Sequence, residues 1–104
     1  MNRVAWNIKL KQGMKAEYKK RHDEIWPEMI EIFNSVGIHN YTIWNSGCEL
    51  FGYYEVENID NCNRILGESP VIAKWNEYMK DVIEFKIDPD TGTVPAMELM
   101  FYHE

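Results

Sequence analysis

Residues 3–22, RVAWNIKLKQGMKAEYKKRH, change their hydrophobic period half-way along. Val4, Trp6, Ile8 and Leu10 alternate with Arg3, Ala5, Asn7 and Lys9, the two-residue repeat of a half-buried strand over 3–10. Beyond Gln12 and Gly13 the repeat lengthens. Met14, Tyr18, His22, Ile25, Met29, Ile32 and Val36 recur at helical spacing and define one face of a long helix that stops at Gly37. Pro27 lies inside that run. Its nitrogen has no hydrogen to donate to the carbonyl of Asp23 and its ring crowds that carbonyl, so the helix should kink or break beside His22.

Ile38 to Trp44 alternates again, Asn45, Ser46 and Gly47 read as a turn, and Cys48 to Glu57 is rich in strand-forming residues, which together predict a β-hairpin. Asn58 to Gly67 reads as a short helix and Pro70 to Glu84 as a longer one, with Ser69 as its N-cap and Pro70 at the first helical position. Asp88 to Gly92 forms a polar loop, and Ala96 to Tyr102 alternates as a last strand. The order β, α, β, β, α, β is the split pattern of an α+β ferredoxin-like fold: a four-stranded antiparallel sheet with its helices on one face. One domain accounts for residues 1–104. The other sheet face still carries aromatic and aliphatic residues, and a second copy of the chain covering it predicts a two-fold homodimer with sheet faces packed together.

Composition narrows the function. A formal net charge of −6 works against phosphate-backbone binding and gives no reason to expect nucleic acid or an anionic membrane as a partner. The first residues have neither the apolar core of a signal peptide nor the length of a membrane span, so a cytoplasmic protein is expected. Cys48 and Cys62 have no second Cys or His cluster at metal spacing and read as structural thiols; no metal and no cofactor are expected. Four Trp and six Tyr are many for 104 residues, enough both to fill a core and to contact a ligand.

The segment Tyr18-Lys19-Lys20-Arg21-His22-Asp23-Glu24-Ile25-Trp26-Pro27-Glu28 holds the strongest chemical signal. Tyr18 and His22 are one helical turn apart, so their side chains meet on one face, and an imidazole exchanges protons near neutral pH. Asp23 and Glu24 point off that face by helix geometry. Tyr41, on the first hairpin strand, either aims its hydroxyl into a cavity or fills the sheet; Trp75 serves either as a core anchor or as a platform for a sugar's apolar face. His39 reads as a solvated strand-end residue and His103 as part of the tail.

The same segment resembles the Y-x-x-R-H-x-x-I-W-P-E signature of the L-rhamnose mutarotase family. The similarity continues through Gly37-Ile38-His39-Asn40-Tyr41, Leu50-Phe51-Gly52, Trp75 to Met79, and Asp88-Pro89-Asp90, covering essentially the whole chain. The resemblance implies a dimeric ferredoxin-like α+β barrel that interconverts sugar anomers by proton transfer, with a monosaccharide such as L-rhamnose or another 6-deoxyhexose as substrate. It implies that His22 is the proton donor and that Tyr18 and Tyr41 bind substrate. Where the family has two adjacent sugar-binding tryptophans, this chain reads Trp75-Asn76, a departure that bears on which sugar is preferred. Two other readings share the architecture: a dimeric-barrel monooxygenase acting on quinols or haem, which lacks this motif, and a non-catalytic sugar-binding module using the same aromatics.

Overall fold

The computed structural model describes residues 1–84, 94 and 96–104. Four strands, β1 (Asn2–Leu10), β2 (His39–Ser46), β3 (Glu49–Val56) and β4 (Ile83–Glu84), form one sheet in the order β2-β3-β1-β4. All pairings are antiparallel. The helices are α1 (Lys15–Asp23), α2 (Pro27–Ser35), α3 (Ile59–Glu68) and α4 (Pro70–Met79). This is the ferredoxin-like α+β arrangement expected from the element order.

The alternation in β1 settles which face is covered. Val4, Ile8 and Leu10 are buried, and register sets Val4 opposite Tyr54 and Ile8 opposite Leu50, so the apolar faces of β1 and β3 coincide. One cluster joins Ile8, Leu10 and Leu50 to Tyr18, Met29, Trp75 and Met79 from α1, α2 and α4; a second joins Val4, Tyr54 and Val56 to Val36, Ile38 and Cys62. All four helices therefore pack on the same side. Across the sheet, Trp44 and Phe51 form a cross-strand pair that is 67% and 38% exposed.

Pro27 divides the expected long helix into two. Trp26 is pushed to an extended conformation (φ −63°, ψ 138°), as the residue before proline prefers, and Pro27 then takes the first position of α2. The N-caps of α3 and α4 are Asn58, accepting from the Asn61 amide, and Ser69, accepting from the Ile72 amide. The hairpin turn falls at Gly47 and Cys48, because β2 keeps its pairing through Ser46. Cys48 is exposed there, whereas Cys62 is buried in the core.

Two expectations need correction. The second helix of the α3/α4 pair ends at Met79, not Glu84, and Ile83–Glu84 is the fourth strand, paired with Leu10 and Lys9. The reason is tertiary. Arg21 donates to the Tyr78 carbonyl at 2.7 Å, Lys11 to the Lys80 carbonyl at 2.9 Å, and the Lys11 amide to Val82 at 2.9 Å, so groups from elsewhere satisfy the backbone where the helix stops. The second correction concerns Ala96–Tyr102, which is not a strand: Ala96 makes one antiparallel bridge to Trp6, and the Met97 amide donates to the Ala5 carbonyl at 2.6 Å. The polar loop expected at Asp88–Gly92 lies outside the described residues.

Candidate active site

A cleft of about 1560 Å³ lies between the helix-facing side of the sheet and the four helices. His22 and Tyr18 reach it from α1, Tyr41 from β2, Trp75 and Asn76 from α4, and Trp6 from β1. The five residues named from the sequence therefore line one space, although they come from three elements.

The α1 pair is held by two contacts. His22 Nδ1 lies 3.1 Å from the Tyr18 carbonyl oxygen, and the two rings stack with centroids 4.3 Å apart at 30°. A carbonyl oxygen can only accept, so Nδ1 carries the hydrogen of this bond and Nε2 of the neutral ring is the unprotonated nitrogen. Burial lowers the His22 pKa from the usual histidine value; the bond to the Tyr18 backbone and the charge of Asp23 oppose that shift without reversing it. Asp23 itself is tied to Lys19 at 3.0 Å on the exposed side.

Both phenols hold their protons tightly. Burial, with a smaller contribution from Tyr41, raises the Tyr18 pKa above the ordinary range. Burial also pushes Tyr41 up to about 12, partly opposed by the bond that Trp6 Nε1 donates to its hydroxyl at 3.2 Å. At neutral pH each phenol is an uncharged hydrogen-bond donor.

Trp75 is 8% exposed and belongs to the core, yet its ring also meets His22 edge to face with centroids 5.4 Å apart. It is anchor and wall together. Trp26 packs on it edge to face at 5.1 Å and stacks on Tyr78 at 5.4 Å, so the residue before Pro27 buttresses the site from behind. Arg21 donates to Glu17 at 2.8 Å and to Asp81 at 2.9 Å, which fastens α1 to the chain beyond α4. His39 is exposed at the start of β2.

Reading the sequence missed Trp6, Trp26 and Arg21 as parts of the site. Trp26 and Arg21 stand inside the signature segment, which could have pointed to them; Trp6 gave no signal beyond its place on the buried face of β1. Among the described residues, no group of three His, Cys, Asp or Glu is placed to hold a metal ion, and no helix is long and apolar enough to cross a membrane.

Helices on one face of a four-stranded antiparallel sheet, over a cleft lined with aromatic rings, three phenols and one imidazole, define the class: a small α+β protein of the ferredoxin-like type with a cleft suited to a small ligand. Residues 3–103 match the family model described as L-rhamnose mutarotase, and the chain belongs to that family. It is 37% identical to the L-rhamnose mutarotase of Tolumonas auensis over 106 residues, covering 98% of each chain. It is 31% identical to that of Phocaeicola vulgatus over 100 residues, covering 95% of this chain and 96% of the other. The crystal structure of the L-rhamnose mutarotase from Formosa agariphila superposes with a TM-score of 0.81 at 30% identity, covering both chains completely. Tetracenomycin F2 cyclase from Streptomyces glaucescens, a type-II polyketide cyclase, has the same fold at a TM-score of 0.63 and 11% identity, covering this chain completely and 98% of that one.

Proposed function

We propose that this chain interconverts the α and β anomers of L-rhamnose, or of a closely related 6-deoxyhexose, by acid–base ring opening and reclosure in the cleft bordered by His22. The observation that carries the reading is the bond between His22 Nδ1 and the Tyr18 carbonyl, which leaves Nε2 as a base in the neutral ring. Nε2 removes the C1 hydroxyl proton; the C1–O5 bond breaks as the C1 carbonyl forms; and O5 takes a proton from a phenol bonded to it, Tyr18 or Tyr41. Rotation about C1–C2 presents the other carbonyl face. On closure O5 returns its proton to the phenol and adds to C1, while the imidazolium gives its proton to O1. His22 is thus base in opening and proton donor in closing, the second being the role that the family resemblance implies.

Every step is a proton transfer or its consequence. A positioned general base contributes on the order of 10²- to 10⁴-fold, sufficient for a reaction that also proceeds slowly in water. Trp75 and Asn76 form the wall against the sugar, Asn76 adding an amide where a second indole would be apolar. The enzyme acts in the cytosol as a homodimer through the open sheet face, a reading supported by the exposed Trp44–Phe51 pair and by the exposed tail residues Met100 and Phe101.

Saturation-transfer NMR on an anomeric mixture of L-rhamnose tests the function. A mutarotase raises the exchange rate between anomers, whereas a non-catalytic sugar-binding module leaves it unchanged. Haem binding, or oxygen consumption with a quinol, would instead support the monooxygenase reading.

A further inference from the structure

Trp6 and Gly52 face each other across β1 and β3 on the helix side of the sheet. Glycine weakens a strand interior and often marks a bulge, a bend or a place where another group approaches closely. Here the reason is the indole: a Cβ built on Gly52 would overlap the Trp6 ring at Cε2, Cζ2 and Nε1. The ring therefore occupies the space over the β3 backbone at Gly52, and its Nε1 meets the hydroxyl of Tyr41, a β2 residue, at 3.2 Å. Neighbouring strands stand about 4.8 Å apart, so a side chain crossing an entire strand needs that strand to be bare at the crossing point.

The consequence lies in the direction of one proton. An indole N–H is a donor only, so the Tyr41 oxygen accepts from Trp6 and must send its own hydrogen elsewhere. The rings of Phe33 and Tyr54, with centroids 5.4 Å and 5.1 Å away, flank the Tyr41 ring. Among the described residues the Tyr41 hydroxyl donates to no protein group, and Tyr41 lines the cleft.

We propose that Trp6 is a positioning residue for the sugar reaction: lying across Gly52, it fixes the Tyr41 hydroxyl as a hydrogen-bond donor directed at the substrate. The inference rests on the reading of the cleft as a sugar site. Its alternative is that Trp6 only packs between the two core clusters it touches. Trp6→Phe separates the two, since it keeps an aromatic ring in the core and removes only the N–H and part of the ring area.

The experiment measures anomer exchange against L-rhamnose concentration for the wild type, Trp6→Phe, Tyr41→Phe and the double variant, each checked for folding by circular dichroism. A lost orienting hydrogen bond should lower kcat/KM about 3- to 10-fold in Trp6→Phe. It should cost less than about twofold more once the Tyr41 hydroxyl is already absent, because two groups acting through one bond are not additive. Unchanged kcat/KM in folded Trp6→Phe, or the same loss in both backgrounds, would overturn the proposal. If Trp6→Phe does not fold because it empties the space over Gly52, Trp6→Phe with Gly52→Ala refills it with a methyl group, and the same comparison is made.

A readout independent of turnover keeps the inference apart from the proposed function. In 15N NMR the Trp6 indole resonance should shift both on Tyr41→Phe and on saturation with L-rhamnose. A wild type that binds L-rhamnose with that shift but does not accelerate exchange would remove the mutarotase reading and leave standing only that Trp6 orients the Tyr41 hydroxyl toward the bound sugar. An indole resonance unmoved by the sugar would overturn the positioning role whatever the exchange rate.

Discussion

The imidazole of His22 is bonded through Nδ1 to the carbonyl of Tyr18, one helical turn earlier on the same helix. The bond fixes the tautomer, and burial lowers the pKa below the ordinary histidine value of about 6.5. The neutral ring is the form that can accept the C1 proton. Exchange activity should therefore be flat through neutral pH and fall as pH drops through the His22 pKa, with the acid limb below about pH 6.5. Stability has the same sign: a depressed pKa means that protonation favours the unfolded chain, so the contribution is complete above the unfolded value and fades as pH falls through the folded one. A pH–rate profile that rises towards acid across this range would show the imidazolium, not the neutral ring, starting the reaction.

His22→Ala removes the group proposed to move the proton but little of the packing, since the ring is half-buried at the cleft. Anomer exchange should fall by about 10²-fold or more while the circular dichroism spectrum is retained. Tyr18→Phe deletes one hydroxyl and should be milder, about tenfold or less. Equal losses in the two variants would make Tyr18 a proton-transfer group in its own right.

Gly52→Ala brings a methyl group into the indole of Trp6. The indole cannot retreat without disturbing Tyr41, so overpacking should destabilise the fold by about 1–3 kcal/mol. Urea unfolding checks this through the midpoint at constant slope. Trp6→Phe in the same chain should recover part of the loss, whereas a Gly52→Ala midpoint equal to the wild type would mean the indole has room to move.

The open sheet face predicts a stable dimer at micromolar concentration by light scattering. Trp44→Asp sets a charge on that face at the edge strand β2, where the native indole is 67% exposed in the single chain. The substitution should shift the protein towards monomer without unfolding it. A wild type that is monomeric at these concentrations would contradict the dimer.

How much of this was legible in sequence depended on the range over which the information acts. The strand period of Val4 to Leu10, the Tyr18/His22 spacing and the break at Pro27 are local, and the structure follows each of them. The end of α4 is not local: Val82 and Ile83 continue the helical spacing of Met79 and no glycine or proline intervenes, yet Arg21 and Lys11 end the helix from distant positions. The Ala96–Tyr102 alternation was equally deceptive, because pairing depends on a neighbouring edge that local period does not encode. Trp6 eluded sequence reading for the same reason, since its meaning rests on a register that sets it opposite Gly52.

Asn76 stands where the family resemblance implies a second tryptophan, and its place in the cleft beside Trp75 gives the departure a physical sense. Successive helical residues point about 100° apart, so Trp75 turns into the core against His22 and Trp26 while Asn76 stays half-buried at the cleft wall. An indole there would add an apolar surface suited to a deoxy-sugar methyl; the amide instead offers a donor and an acceptor and leaves more space. Sugars carrying a hydroxyl in place of that methyl hydrogen should therefore be tolerated, with discrimination limited to the roughly 1–3 kcal/mol that an apolar pocket achieves between close analogues. Asn76→Trp should narrow the range, raising exchange of L-rhamnose relative to L-mannose, which carries the C6 hydroxyl, by up to about tenfold, while L-fucose, which shares the methyl, controls for ring stereochemistry. The measurement is the set of relative exchange rates for the three sugars with the two proteins side by side. Identical ratios would show that residue 76 does not touch the sugar, and the amide would then have no part in selecting the substrate.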